Sequence, residues 1–341
     1  MRAAKPFNTE VHNERAWAAA CRRLAALCFL MALSNVALSQ EILPSDRRPS
    51  DAPYTIKVSV GLVVLHATVR NRRGGLVSGL TEDEFQVYEN GARQQIKYFS
   101  HEDIPVTAGL VIDNSGSMGP KVPEVVTAAL AFARSSNPQD QMFVVNFNEH
   151  VRFALPDDAA FTDQPRQLKV ALSRIKADGE TALYDAIAAA LEHLKSGSRD
   201  KKVLIVISDG GDDASKETLK QVLAMARRSD AIIYTLGIFD QNDPDQDPHV
   251  LKQLARQTGG EAFFPESLSE VVPICEQIAR DIRNQYTIAY IPTDRKQDGT
   301  YRAIQVKAEA TRRGRLFVRT RTGYTAPLKP QTIPANPSAQ P

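Results

Sequence analysis

From Tyr54 onward, apolar side chains recur at every second position. Ile56, Val58, Val60, Leu62 and Val64 hold one phase, while Val63, Leu65, Ala67 and Val69 hold the other. A period of two is that of a β-strand. The phase overlap near Gly61 predicts either a bulge or a strand with both faces partly buried. Arg70–Gly75 reads as a turn. Phe85–Tyr88 and Gln95–Phe99 flank Glu89-Asn90-Gly91. Asn-Gly supplies the two positive φ angles of a tight hairpin, so these two runs are expected to pair.

Between 105 and 283 the pattern changes. Apolar runs of five to eight residues alternate with amphipathic stretches of helical period. The expected strands are Val106–Ile112, Met142–Phe147, Val203–Ser208 and Ala231–Ile238, with a short Glu261–Phe264. The expected helices are Val122–Arg134, Gln167–Ile175, Ala182–Leu194, Ser215–Arg228, Val250–Gln257 and Leu268–Arg283. Unbroken apolar runs such as Val203–Ile207 belong to strands covered on both faces. Their alternation with helices predicts a doubly wound, mostly parallel α/β sheet of Rossmann-like type.

The β pattern returns after Arg283, in Tyr286–Ile291, Tyr301–Glu309 and Leu316–Arg321. Neither flanking β segment is long enough for a core of its own. Together they supply about six strands, near the number of a small sandwich. The fold class expected is therefore α/β, inserted into a small discontinuous β-sandwich-like domain. Residues 54–104 form the leading half of that β domain, 105–283 the α/β domain and 284–325 the closing half of the β domain. Residues 40–53 read as a linker, and 326–341, rich in Pro, Ala, Ser and Gln, as a disordered tail.

The first forty residues carry Arg22-Arg23, an apolar run Leu24–Leu33 and small residues at Ala37 and Ser39. A basic flank, a short apolar core and small residues at a cut site make a secretory signal peptide, 1–39. The core is shorter than the roughly 20 residues of a membrane span. The chain is expected to be exported, to periplasm, cell surface or medium, with no stable span after cleavage. An uncleaved anchor is the alternative.

Composition narrows the chemistry. The chain of 341 residues has a net charge of +2, which gives no electrostatic case for nucleic acid. Of its 3 cysteines, only Cys275 lies beyond the expected cut, and it reads as a buried filler on a helix. The histidines His66, His101, His150, His193 and His249 show no zinc spacing. Arg312, Arg313, Arg315, Arg319 and Arg321 read as a solvated face of a hairpin. Asp240–Asp247 looks like a calcium loop but lacks its Gly and closing Glu, and reads as an exposed acidic loop.

The chemistry-bearing residues sit where expected strands end. Asp113, Ser115 and Ser117 follow the first α/β strand, Thr181 precedes a helix, and Asp209 closes the strand Val203–Ser208. Open α/β sheets place ligands at that carboxyl edge. The donors are all oxygen, which suits a hard divalent cation. Three elements stand in order: Asp113-Asn114-Ser115-Gly116-Ser117, then Gly179-Glu180-Thr181-Ala182-Leu183-Tyr184-Asp185-Ala186, then Ser208-Asp209-Gly210. This set resembles the metal-ion-dependent adhesion site (MIDAS) of von Willebrand factor type A (VWFA) domains. The flanking β segments and Thr322-Gly323-Tyr324 resemble the bacterial exported VWFA-related group.

The resemblance implies that Ser115 and Ser117 ligate Mg2+ directly, with Mn2+ or Ca2+ as alternatives. Thr181 would ligate directly or through water. Asp113 and Asp209 would act through water and hydrogen bonds. One open coordination position would take an Asp or Glu from a protein partner. The function expected is an exported, metal-dependent protein-binding module and not an enzyme, since no nucleophile–base pair accompanies the site. The alternatives are a structural envelope or assembly protein with an incidental metal site, and a metal-dependent hydrolase. Asp212 and Asp213 read as a solvated loop.

Overall fold

The computed structural model describes residues 61–239, 246–311 and 313–329. They belong to one compact unit that begins at Ser59. The expected signal segment, the linker, the strand residues 54–60 and most of the tail lie outside the described residues. Among the described residues no helix is long and apolar enough to cross a membrane.

The central sheet runs β10 (Ala262–Phe263), β9 (Ile232–Gly237), β8 (Lys201–Ser208), β5 (Val106–Asp113), β6 (Gln141–Phe147), β7 (Val151–Phe153). All neighbours are parallel except β6–β7. The chain lays β6 on one side of β5 and then crosses to lay β8 on the other. The direction of winding therefore reverses at β5/β8, and neighbouring crossovers part at that point to leave a crevice. Every residue of β5 and β9 is buried, as a strand covered by helices on both faces requires.

Among the described residues, six α-helices follow the same alternation: α1 (Val122–Ser135), α2 (Pro165–Leu172), α3 (Leu183–Leu194), α4 (Leu219–Arg228), α5 (Pro248–Thr258) and α6 (Val271–Arg283). Cys275 is wholly buried on α6, and burial pushes its thiol up to about 12, so it is an inert apolar filler. Helix α4 starts four residues later than its amphipathic pattern predicts. Thr218 and Gln221 form a reciprocal cap there. Upstream of it, the amides of Lys216 and Glu217 donate to the Asp185 carboxylate and are held outside the helix.

The flanking segments make two antiparallel sheets. One runs β14 (Phe317–Arg319), β1 (Val63–Arg70), β11 (Tyr286–Tyr290), β4 (Ile96–Ser100). The other runs β13 (Gly314–Arg315), β12 (Tyr301–Ala310), β2 (Phe85–Glu89), β3 (Ala92–Gln94), with β15 (Gly323–Thr325) also on β12. In each sheet a strand from before the α/β segment pairs with one from after it, as Leu65 with Ile288 and Val87 with Val306. Their inner faces share one core that includes Leu65, Val69, Phe85, Val87, Ile288 and Val306. Strand β12 alternates exposed and buried through all ten residues, the pattern of a strand with one wet face.

Three expectations change here. Asn90 and Gly91 do turn with φ 47° and 82°, but the returning strand is Ala92–Gln94. The expected strand Gln95–Phe99 is instead β4, which crosses to the other sheet and pairs with β11. Local turn chemistry sets the hairpin, whereas the crossover depends on a strand some 190 residues away. The arginine cluster is only in part a solvated face: Arg313 and Arg315 are exposed, Arg312 lies outside the residues whose side chains are described, and Arg319 and Arg321 are drawn inward. Arg319 is ion-paired with Glu261 and Asp281, Arg321 with Asp230, and Arg313 donates to the carbonyl of Ser78. Finally, Ala326 and Lys329 donate to the carbonyls of Thr300 and Gln297, so the start of the expected tail is held against the turn before β12.

Candidate functional site

Strand β5 ends on Asp113 and β8 on Ser208, side by side at the winding reversal. Asp113 is fully buried. Its Oδ1 accepts the Ser115 amide at 2.9 Å, and its Oδ2 accepts the Ser208 hydroxyl at 2.6 Å. Ser115 is extended (φ −61°, ψ 168°) and opens a short 3-10 turn, Gly116–Lys121. That turn brings the Ser115 and Ser117 Oγ atoms to 3.2 Å from each other. The Ser117 hydroxyl donates to Asp209 Oδ2 at 2.8 Å. Four of the five residues singled out by sequence are thus joined by direct contacts or through Ser208.

Thr181 arrives on a second loop, which backbone bonds tie to the first. The Gly116 amide donates to the Gly179 carbonyl at 3.0 Å, and the Asp178 amide to the Asn114 carbonyl at 2.9 Å. Gly179 has φ 79°, and a Cβ there would lie 1.8 Å from Glu149 Oε2. Only glycine lets the loop wrap that carboxylate. The third loop is tied to the second by Asp213, whose Oδ1 accepts the Thr181 amide at 2.6 Å. Asp212 accepts the Tyr184 amide at the start of α3 at 3.1 Å. These two aspartates are not a merely solvated loop. Asp212 satisfies an amide that the first turn of the helix leaves without a partner, and Asp213 holds the loop just ahead of the cap.

Burial pushes the Asp113 carboxyl up to about 6, and the neighbouring Asp209 charge adds to the rise. Hydrogen bonds from Ser208 and Ser115 pull it back. A carboxylate whose charged form burial disfavours gains from a neighbouring cation. The donor set of three hydroxyls and two carboxylates is hard, and it fits a cation such as Mg2+ that prefers oxygen and retains water. The buried Asn114 Oδ1, beside Asp113, has no hydrogen-bond partner, in keeping with a hydrated site. Among the described residues no group of three or more His, Cys, Asp or Glu side chains could hold a metal ion. A hydroxyl-rich centre is not of that kind.

Sequence reading missed Ser208 as the residue that orients Asp113, and missed the turn after β6. There Asn148 Nδ2 donates to the Asp178 carbonyl at 3.0 Å, and Glu149 accepts the Glu180 amide at 3.1 Å. Ser208 stands in the Ser-Asp-Gly element and was legible by parity along β8. Asn148 and Glu149 carry no spacing signal. Among the histidines, His193 packs against Phe143, Phe153 and Phe161, with ring centroids at 4.6–4.8 Å.

A mostly parallel sheet whose winding reverses between β5 and β8 defines a doubly wound α/β domain, with oxygen donors gathered at that reversal. Residues 109–277 match the model of the von Willebrand factor type A domain, and the chain carries a domain of that family. Members of the family often mediate protein interactions. A solved von Willebrand factor type A protein from Catenulispora acidiphila is 15% identical, with a TM-score of 0.47, over 71% of this chain and 73% of that one. The von Willebrand domain of the type V pilus tip protein Mfa5 from Porphyromonas gingivalis is 13% identical, with a TM-score of 0.45, over 53% and 95%. Proximal thread matrix protein 1 of the mussel byssus, described with a zinc-occupied MIDAS motif, is 16% identical, with a TM-score of 0.44, over 53% and 49%. An uncharacterised curated protein of Synechocystis is 23% identical over 184 residues, which is 53% of this chain and 42% of that protein. The chain thus spans less than half the length of this curated relative.

Proposed function

We propose that the chain is an exported, metal-dependent protein-binding module. Ser115, Ser117 and Thr181 hold a divalent cation, Mg2+ by preference, with Mn2+ or Ca2+ as alternatives. Asp113 and Asp209 supply negative charge through water and hydrogen bonds. The cation captures an Asp or Glu of a protein partner. The observation that carries this reading is the joining of Asp113, Ser115, Ser117 and Asp209 at the β5/β8 reversal, with the Thr181 loop bonded to both neighbours. Few direct carboxylate ligands would leave the cation electrophilic and receptive to an outside carboxylate. The serine hydroxyls here donate to Asp209 and Asp113 and have no histidine beside them among the described contacts, and we assign no catalysis. Export rests on the reading of residues 1–39 as a signal peptide, with 40–53 as a linker ahead of the folded region.

The surroundings of the site narrow the partner. Glu149, Asp178, Glu180 and Asp213 are exposed on the same three loops and the adjoining turn. A uniformly acidic partner would meet like charge there, at a cost of several kcal/mol. The captured carboxylate is therefore expected to be flanked by Lys or Arg. Immobilised full chain, tested against peptides bearing one Asp among lysines or among glutamates, should bind the first in Mg2+ and lose it in EDTA. Equal binding in EDTA would exclude the metal from the binding step.

A further inference from the structure

The 3-10 turn that carries Ser117 is held at both ends. At its start, the Gly116 amide donates to the Gly179 carbonyl at 3.0 Å. At its far end stands Lys121, the last residue of the turn and only 6% exposed. The Lys121 ammonium donates from Nζ to the carbonyl of Ile238 at 2.9 Å. Ile238 directly follows β9, and β8 lies between β9 and β5 in the sheet. The contact therefore reaches past the strand that ends in Ser208, just ahead of Asp209.

This bond closes a ring around the site. The Ile238 amide donates to the Ser208 carbonyl at 3.2 Å. The Ser208 hydroxyl donates to Asp113 Oδ2 at 2.6 Å, and Asp113 Oδ1 accepts the Ser115 amide at 2.9 Å. The Met118 amide donates to the Ser115 carbonyl at 3.1 Å. The Val122 amide, next after Lys121, donates to the Met118 carbonyl. The ends of β5, β8 and β9 and the serine turn are thus joined in one circuit, with Lys121 as the link from the turn to β9.

We infer that Lys121 is a positioning residue of the cation site, which holds Ser117 at its place beside Asp209 by pinning the far end of the serine turn. The inference rests on the reading of the crevice as a cation site. Ser115 and Ser117 follow β5, whereas Asp209 follows β8, so the 2.8 Å contact of Ser117 with Asp209 depends on the turn staying fixed across two strands. A 3-10 turn is short, and its own hydrogen bonds have poor geometry. Released at one end, it lets Ser117 swing away from its partner. Lysine is almost never buried unless its ammonium is engaged, because removing a charge from water is costly. Methionine has a similar length and fills such a slot without that cost. Packing alone does not account for an ammonium here, and its bond to Ile238 does. Groups that orient metal ligands from outside the ligand set carry a large part of metal affinity.

Lys121→Met removes the donor and keeps an unbranched stem of similar length. In the metal-free full chain, hydrogen exchange by NMR at the Met118 and Val122 amides should be about tenfold faster or more, as expected for loss of a bond from a charged donor, with amides inside β5 and β8 unchanged. Calorimetric Mg2+ affinity should fall about 10- to 100-fold. Unchanged exchange at the turn would overturn the inference. So would exchange raised equally through β5 and β8, since Lys121 would then be a prop of the whole fold. Faster exchange at the turn with unchanged affinity would also overturn it. Lys121→Leu serves if Lys121→Met does not fold, and failure of both to fold would count against a positioning role. If the unaltered chain binds no Mg2+, the cation reading falls, and with it the role at the site. Exchange at the turn then still reports whether Lys121 pins it.

Discussion

Replacing Asp113 with Asn should stabilise the metal-free chain and destabilise the metal-loaded one. The carboxyl is wholly buried, and its folded value of about 6 stands above the ordinary 3.8. Between those values the folded chain holds a proton that the unfolded chain has released. Stability of the metal-free protein therefore falls as pH rises through that window, and the loss persists above it. Each pKa unit is about 1.4 kcal/mol, so the ionised carboxylate costs the metal-free fold on the order of 3 kcal/mol at neutral pH. Asn removes the charge and keeps an oxygen to accept from either Ser115 or Ser208. It loses one of the two bonds, worth about 1–1.5 kcal/mol. The net gain expected for metal-free Asp113→Asn is about 1–2 kcal/mol. With metal at a hundred times its dissociation constant, the unaltered chain gains about 2.7 kcal/mol that the variant lacks. At about 2–4 °C per kcal/mol, the order of the two melting temperatures should reverse when Mg2+ replaces EDTA. Scanning calorimetry of both chains in both buffers reads this. The same deficit for Asp113→Asn in EDTA and in Mg2+ would mean that the buried charge carries no such penalty and no metal offsets it.

Other outcomes follow from the same contacts. Apparent metal affinity should be flat above about pH 7 and fall as pH drops through about 6, because binding must displace the Asp113 proton; a pH-independent titration would exclude that carboxyl. Gly179→Ala forces a Cβ into the Glu149 carboxylate and a strained φ, and should weaken metal binding while costing the fold about 1–3 kcal/mol, read by denaturant unfolding. Asp281→Ala strips two partly buried guanidiniums of their shared carboxylate and should cost about 1–3 kcal/mol, with Asp281→Asn costing less. Glu180→Lys, on the exposed rim, should raise the on-rate of a glutamate-flanked peptide at low salt and leave metal affinity nearly unchanged, by surface plasmon resonance.

What the chain reveals unaided divides along a physical line. The α/β strands were legible because burial on both faces leaves uninterrupted apolar runs such as Leu204–Ile207. The site loops were legible because Asp113, Ser115, Ser117, Thr181 and Asp209 all fall at ends of periodic segments. The edge strand β7 was not, since three residues carry no period. The switch of β4 between sheets was not, because it is fixed by pairing with Tyr286–Tyr290 across the whole α/β insertion. The roles of Arg70 and Arg319 were hidden for the same reason. A run of arginines looks solvated until Asp281 and Glu261 are folded against it. Asn148 and Glu149 brace the Thr181 loop through backbone groups, which leave no trace in side-chain spacing.

Whether this crevice holds a cation is decided by a calorimetric titration of Mg2+ and Mn2+ into the full chain at neutral pH, with and without acetate as a carboxylate mimic. Saturable binding of one ion is expected, strengthened by acetate and abolished in Ser117→Ala and Asp113→Ala variants that keep the folded melting profile. Absence of binding in the intact chain, or equal binding in those variants, would show that the five residues do not form a metal centre.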